Sequence, residues 1–127
     1  MDLFSGGAKL ARLQRERATA NQAAAQRDAM TSGVRLEVRQ AHLDLEAAQQ
    51  QIEVVRGAVA ESKESLRISQ NRYEGGLITL SDLLRDEEAA LRAETDYWQA
   101  VYRLRISHAN LELATGTLDA NSPVVKP

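Results

Sequence analysis

A heptad frame can be laid over the chain from Leu10 to Tyr73 without slipping once. Stepping alternately by three and four, it reads Leu10, Leu13, Arg17, Ala20, Ala24, Arg27, Thr31, Val34, Val38, Ala41, Leu45, Ala48, Ile52, Val55, Val59, Ser62, Leu66, Ser69 and Tyr73. Only two of these nineteen positions, Arg17 and Arg27, are charged. Residues at that spacing share one stripe of an α-helix, whereas on a strand they would fall on both faces, so the frame predicts one helix of about 65 residues. Thr31-Ser32-Gly33 lies inside the frame and reads as a weak point of that helix, where glycine costs about 1 kcal/mol relative to alanine and could admit a kink. A helix of this size is roughly 100 Å long, whereas a compact domain of this chain length has a radius of gyration near about 14 Å. The chain is therefore expected to be elongated, not globular.

The frame ends at the strongest local break in the chain interior, Gly75-Gly76, since glycine enters the left-handed conformation of a helix end without steric penalty. Thr79, followed three positions later by Asp82, has the spacing of an N-cap and an acid that reaches back to the free backbone donors. A second helix is predicted from Leu80 to about Thr115, with a stripe at Leu83, Ala90, Tyr97, Leu104 and Leu111, flanked by Leu84, Leu91, Trp98 and Val101, and with Gly116 as its stop. The expected fold is all-α: an elongated, coiled-coil-like antiparallel helical hairpin, one very long helix followed by a shorter one. Its segments are a lead-in at 1–8, the long helix at 9–74, a turn at 75–79, the return helix at 80–115 and a loose tail at 116–127. The return helix is long enough to cover the first only from about Val38 to Tyr73. The alanine-rich stretch from Lys9 to about Glu37 must then find its packing elsewhere, and self-association of the chain is expected. Leu36, Leu43, Ala47, Val54 and Ile68 lie off the frame and widen the apolar stripe, which suits contact with more than one neighbouring helix.

Composition narrows the function. With Lys+Arg 16 against Asp+Glu 18 and a pI near 5.7, there is no basic excess of the kind a nucleic-acid partner requires. Cysteine is absent, so there is neither a disulfide framework nor thiolate chemistry. The first residues show no basic and apolar leader pattern, and no run of 18 apolar residues is long enough for a membrane-spanning helix. Neither His42 nor His108 has a glutamate three residues before it, which removes the di-iron bundle motif. The acid run Asp86-Glu87-Glu88 reads as a solvated helix start, and no metal or cofactor is expected. No nucleophile-base order, phosphate loop or paired carboxylate set points to an enzyme. Tyr97, Trp98 and Tyr102 read as packing on an alanine-rich neighbour. The basic cluster Lys9, Arg12, Arg15 and Arg17 reads as a solvated face, with headgroups or nucleic acid as the alternative.

Four stretches, in order, resemble the C-terminal part of a TolC-family outer-membrane efflux channel protein. Leu3-Phe4-Ser5-Gly6-Gly7 is similar to the element where the last barrel strand passes into a long tunnel helix. The run Val34 to Leu45 resembles a mid-helix pattern of the family, with His42 where an aromatic is common. Arg72-Tyr73-Glu74-Gly75-Gly76-Leu77, followed by Thr79, Asp82, Leu83 and Leu84, resembles the turn at the periplasmic end of the tunnel. Asn110 to Leu118 resembles the ending of the repeat. The resemblance covers Leu3 to about Leu118.

The resemblance implies a homotrimer at the outer membrane, with this segment in the periplasm as part of a helical tunnel. A periplasmic adaptor protein and an inner-membrane pump would join it at the tip. By the same resemblance Asp82 and Tyr73 are gate candidates, with Arg85 standing where the family carries a second acid and Asp86 one step later. Gly75, Gly76, Leu77 and Thr79 would form the tip that adaptor hairpins grip. Each has a plainer reading: Asp82 as the capping acid, Tyr73 as core, and the tip as a simple helix-turn-helix with an exposed leucine. Two rival assignments are a generic coiled-coil scaffold, which makes no demand on Tyr73, Gly76 or Thr79, and a periplasmic adaptor hairpin, which β-rich lipoyl-like segments would flank.

Overall fold

A computed structural model describes residues 5–122, and the side chains of residues 7–122, as two helices. Helix α1 runs Ser5–Glu74 and α2 runs Leu80–Thr115, and the two pack against each other as a hairpin. The chain is all-helical as expected, and no strand occurs among the described residues. The lead-in differs: residues 5–8 are already helical, because a nucleated helix gains one backbone bond for each residue it adds. Leu3 and Phe4 lie outside the described residues. Helix α1 is continuous through Gly33.

The chain divides into two units, Met1–Glu37 and Val38–Pro127. In the first, every described side chain except the half-buried Ala24 is exposed, including Leu10, Leu13, Met30, Val34 and Leu36. In the second, the part of α1 from Val38 onward packs on α2, and the frame decides which residues meet. From 38 to 69, the α1 residues that are not exposed are Val38, Ala41, Leu45, Ala48, Ile52, Val55, Val59, Ser62, Leu66 and Ser69, and all of them are frame positions. The off-frame Leu43, Val54 and Ile68 stay exposed.

Helix α2 answers with the same alternation. Leu83, Asp86, Ala90, Ala93, Tyr97, Ala100, Leu104, Ser107, Leu111 and Ala114 are all withdrawn from solvent. Five of these were read from the sequence. The other five, Asp86, Ala93, Ala100, Ser107 and Ala114, are small or polar and sit between them, completing a knobs-into-holes seam. Of the residues expected to flank the stripe, Val101 is half-buried while Leu84, Leu91 and Trp98 are exposed.

The centre of the seam is Ile52, Val55 and Ala100, with Tyr97, Val101 and Leu104 packed against them. Alanines at Ala41, Ala90 and Ala100 let the backbones approach closely, which is how a two-helix seam buries anything at all. No described large side chain is fully buried. An ion pair between Lys63 Nζ and Glu94 Oε1 (2.7 Å) links the helices, but both side chains are largely exposed and the pair contributes little.

Candidate functional site

The turn between the helices is built from both ends. At the close of α1 the amide of Gly76 donates to the Tyr73 carbonyl (2.9 Å) and that of Leu77 to the Arg72 carbonyl (2.8 Å). These two bonds are a Schellman motif, with Gly76 in the left-handed conformation at φ +67°. Gly75 needs no such conformation, and a methyl added to it would meet neighbours only at 3.5–3.7 Å. Of the two glycines, Gly76 alone is required by the backbone.

At the start of α2, Thr79 is extended (φ −82°, ψ 160°) and its hydroxyl accepts from the Asp82 amide (3.2 Å). Asp82 Oδ2 reaches back to accept from the Thr79 hydroxyl (2.7 Å) and the Thr79 amide (3.2 Å), completing a capping box. These bonds to Thr79 hold the Asp82 carboxyl below its ordinary range, and the Arg85 guanidinium, 3.4 Å from Oδ1, adds to the effect. Asp82 is therefore an anion at neutral pH, half-exposed at the turn. Helix α2 ends as α1 does: Gly116 is left-handed at φ +71°, with amides of Gly116 and Thr117 donating to the carbonyls of Leu113 (3.0 Å) and Glu112 (2.8 Å). Beyond it, where a loose tail was expected, the Ser122 amide donates to the Asp119 carbonyl (3.1 Å) and the Asp119 amide to the Ser122 hydroxyl (3.2 Å). Side-chain and backbone bonds hold this turn without helical periodicity, and residues 123–127 lie outside the described residues.

Leu77 is 72% exposed at the apex. Tyr73 is the last frame position, yet it is 41% exposed, so it is not core of the hairpin. Thr79, Asp82 and Arg85 are joined by the cap and the ion pair; Tyr73 and Arg72 lie on the other limb. The acid run does not act as a unit: Asp86 accepts from the Ser69 hydroxyl across the seam, Glu87 is exposed, and Glu88 pairs with Arg92 (2.6 Å). The spacing of Asp86 from Leu83 and Ala90 was the signal for its seam position, masked by its being an acid.

The aromatic cluster divides too. Tyr97 packs into the seam and meets Trp98 edge-on, ring centroids 5.4 Å apart at 71°. Trp98 and Tyr102 are exposed, so of the three expected to pack on an alanine-rich neighbour only Tyr97 does so within the hairpin. His108 Nε2 is 3.8 Å from Glu112 Oε1, and His42 is exposed. Among the described residues, no group of three or more His, Cys, Asp or Glu is placed to hold a metal ion. No described helix is long and apolar enough to cross a membrane. The site can offer a fixed shape, an exposed apolar apex and an anion beside a cation.

Searches of curated proteins and of solved structures return no match. The profile of one family, described as outer membrane efflux protein, matches residues 1–117, nearly the whole chain and both limbs of the turn. The chain thus belongs to the outer membrane efflux protein family, that of the TolC-like channels, whose members are transport channels and not enzymes.

Proposed function

We propose that the hairpin forms part of the periplasmic helical tunnel of a homotrimeric efflux channel, and that its turn is the tip on which a periplasmic adaptor protein docks. An inner-membrane pump completes the exporter. The observation that carries this reading is Leu77, a large apolar side chain left exposed at the apex of a turn that is fixed by a Schellman motif on one limb and a capping box on the other. An apolar residue after a Schellman glycine ordinarily folds back on the helix end, whereas Leu77 stays largely exposed, as a docking knob does on a backbone whose position costs little further ordering entropy to bind.

Gly75, Gly76, Leu77 and Thr79 are the docking residues in this reading. Asp82, Arg85 and Tyr73 are the gate candidates: Asp82, kept ionised by Thr79, places a negative charge on each protomer at the narrow end, and Arg85 moderates it. Asp86 is engaged with Ser69 and is no part of the gate. The exposed frame positions in residues 9–37 are surface for other helices of the channel, and the chain on its own self-associates through them.

Titration with the α-helical hairpin of a cognate adaptor tests the tip. Binding should be weakened at least tenfold by Leu77→Asp or Gly76→Trp, and absence of binding at high micromolar concentration would refute the assignment. In the full-length channel, Asp82→Ala should change conductance and its block by multivalent cations; an unchanged channel leaves Asp82 with its capping role alone. Sedimentation of this chain as a fully helical monomer would overturn the self-association.

A further inference from the structure

The two sides of the hairpin seam are unlike. On one side Lys63 and Glu94 reach across it and pair at 2.7 Å. On the other, Ala58 and Ser65 of α1 and Ala89 of α2 are too short to meet, and openings follow one another along the seam. On α2 this groove is lined by a ladder in steps of three and four: Asp86, Ala89, Ala93, Asp96, Ala100 and Arg103. Its two aspartates stand ten residues, or about 15 Å, apart.

The uncovered part of α1 carries a matching ladder. Read backwards, its frame is Arg27, Ala24, Ala20, Arg17, Leu13 and Leu10, with the same steps in the same order and its two arginines also ten residues apart. Laid antiparallel to α2, this ladder sets Arg27 on Asp86, Ala24 on Ala89, Ala20 on Ala93, Arg17 on Asp96 and Leu13 on Ala100. Opposite charges meet at both ends of a stretch of alanine on alanine, where backbones approach closely. The leucines fall over the opening beside Ala47, Ala48 and Ile106. Laid the other way, the arginines still find the aspartates, but Leu13 falls on Asp82, which the capping box engages.

The charges are at hand for this. Among the described residues, Arg17, Arg27 and Asp96 make no ion pair, and the Ser69 hydroxyl takes only Oδ2 of Asp86. Residues 7–37 carry six cations against three carboxylates, and residues 38–122 nine against fourteen, so the two stretches attract. The match also accounts for the only charged members of the α1 frame, Arg17 and Arg27. Ser5–Glu74 is a single helix, so a segment lying beside its residues 44–65 comes from another molecule.

We infer that this groove is the seat for the segment Leu10 to Arg27 of a second copy of the chain, in the register that places Arg17 on Asp96 and Arg27 on Asp86. The inference rests on the self-association proposed above, to which it gives a site and a register, and does not depend on the docking role of the turn.

Sedimentation equilibrium of charge-swapped variants tests it, with helicity checked by circular dichroism. Arg17→Asp sets like charges together and should weaken association at least about tenfold, as should Asp96→Arg. The two changes in one chain should restore association to within about threefold of the original. Arg15→Asp, the same charge change on the side of α1 turned away from the frame, should cost less than about twofold. Cysteine is absent, so single cysteines report the contact. In an oxidised mixture of Ala20→Cys and Ala93→Cys chains, the mixed disulfide should exceed its statistical share. A wild-type chain that sediments as a helical monomer overturns the inference together with the self-association beneath it. Association that the double swap does not rescue, that Arg15→Asp weakens as much as Arg17→Asp does, or that cross-links Ala20→Cys chains mainly to each other overturns the inference and leaves the self-association standing.

Discussion

The Ser69 hydroxyl donates to the Asp86 carboxylate across the hairpin seam, joining the two helices at heptad positions where the pattern would otherwise place apolar side chains. The bond fixes register. Sliding either helix by one residue would part the two groups and leave a half-buried carboxylate without its donor. Ser69→Ala is expected to cost about 1–2 kcal/mol in urea unfolding, most of it from the carboxylate left behind. Asp86→Ala in that background should then cost less than it does alone, giving a coupling energy of at least about 0.5 kcal/mol in the double-mutant cycle.

The two glycines of the turn are predicted to differ. Gly76 is left-handed, so Gly76→Ala should destabilise the hairpin by about 1–2 kcal/mol. Gly75 has a negative φ and room for a methyl, so Gly75→Ala should be neutral or stabilising by up to about 1 kcal/mol. Thermal melts of the two variants side by side check the contrast; equal losses would contradict the assignment of the Schellman motif to Gly76.

The capping box gives the turn a pH dependence whose sign is fixed. Bonds from Thr79 depress the Asp82 carboxyl, so it is more acidic folded than unfolded. Its contribution is present above the ordinary carboxylate value and is lost as pH falls through the depressed folded value. Thr79→Ala removes the largest cause of that depression. NMR titration should then show the Asp82 carboxyl moving back up toward its ordinary value, and the share of the acid loss of stability that Asp82 supplies should shrink. An unmoved Asp82 would show that Arg85 governs it. At neutral pH the missing N-cap hydroxyl itself should cost about 1 kcal/mol.

Glycine inside α1 is a standing loss. Gly33 and Gly57 are helical, and a methyl at either would meet nothing within 4 Å. Each Gly→Ala change should favour the helix by about 1 kcal/mol. The readouts differ because the surroundings do: Gly57→Ala should raise the unfolding midpoint of the hairpin, and Gly33→Ala should slow amide exchange around residue 33. Faster exchange there would mean that glycine serves a local bend.

Much of this was legible in the sequence, and the rest was hidden for definite physical reasons. The α1 frame found each packed residue from Val38 to Ser69 because a two-helix seam reads off a strict alternation of steps. On α2 one heptad position, Leu83, Ala90, Tyr97, Leu104 and Leu111, was found and the one alternating with it was missed. Asp86, Ala93, Ala100, Ser107 and Ala114 carry no hydropathy signal, and only their spacing marks them. Trp98 misled in the opposite sense, since size suggests a core and its position places it outside. At the turn, Thr79 and Asp82 announced the capping box by residue type and spacing, but the pair Gly75-Gly76 did not say which glycine is left-handed. Tyr73 kept the frame and lost its burial because α2 begins only at Leu80.

That inversion of size and burial makes the last prediction. Ala100, 3% exposed, is the most buried of the core residues and sits against Ile52 and Val55, whereas Trp98, two positions before it, is 66% exposed. Ala100→Leu adds volume where the backbones approach closely, and it should push the helices apart at a cost of about 1–3 kcal/mol. Trp98→Ala deletes the largest side chain of the protein from a surface position and should change unfolding of the isolated hairpin by no more than about 0.5 kcal/mol. Any larger effect of Trp98→Ala on self-association, read by sedimentation at matched concentration, would then be intermolecular. Should Ala100→Leu prove neutral while Trp98→Ala unfolds the hairpin, the seam described here would be on the wrong face of α2.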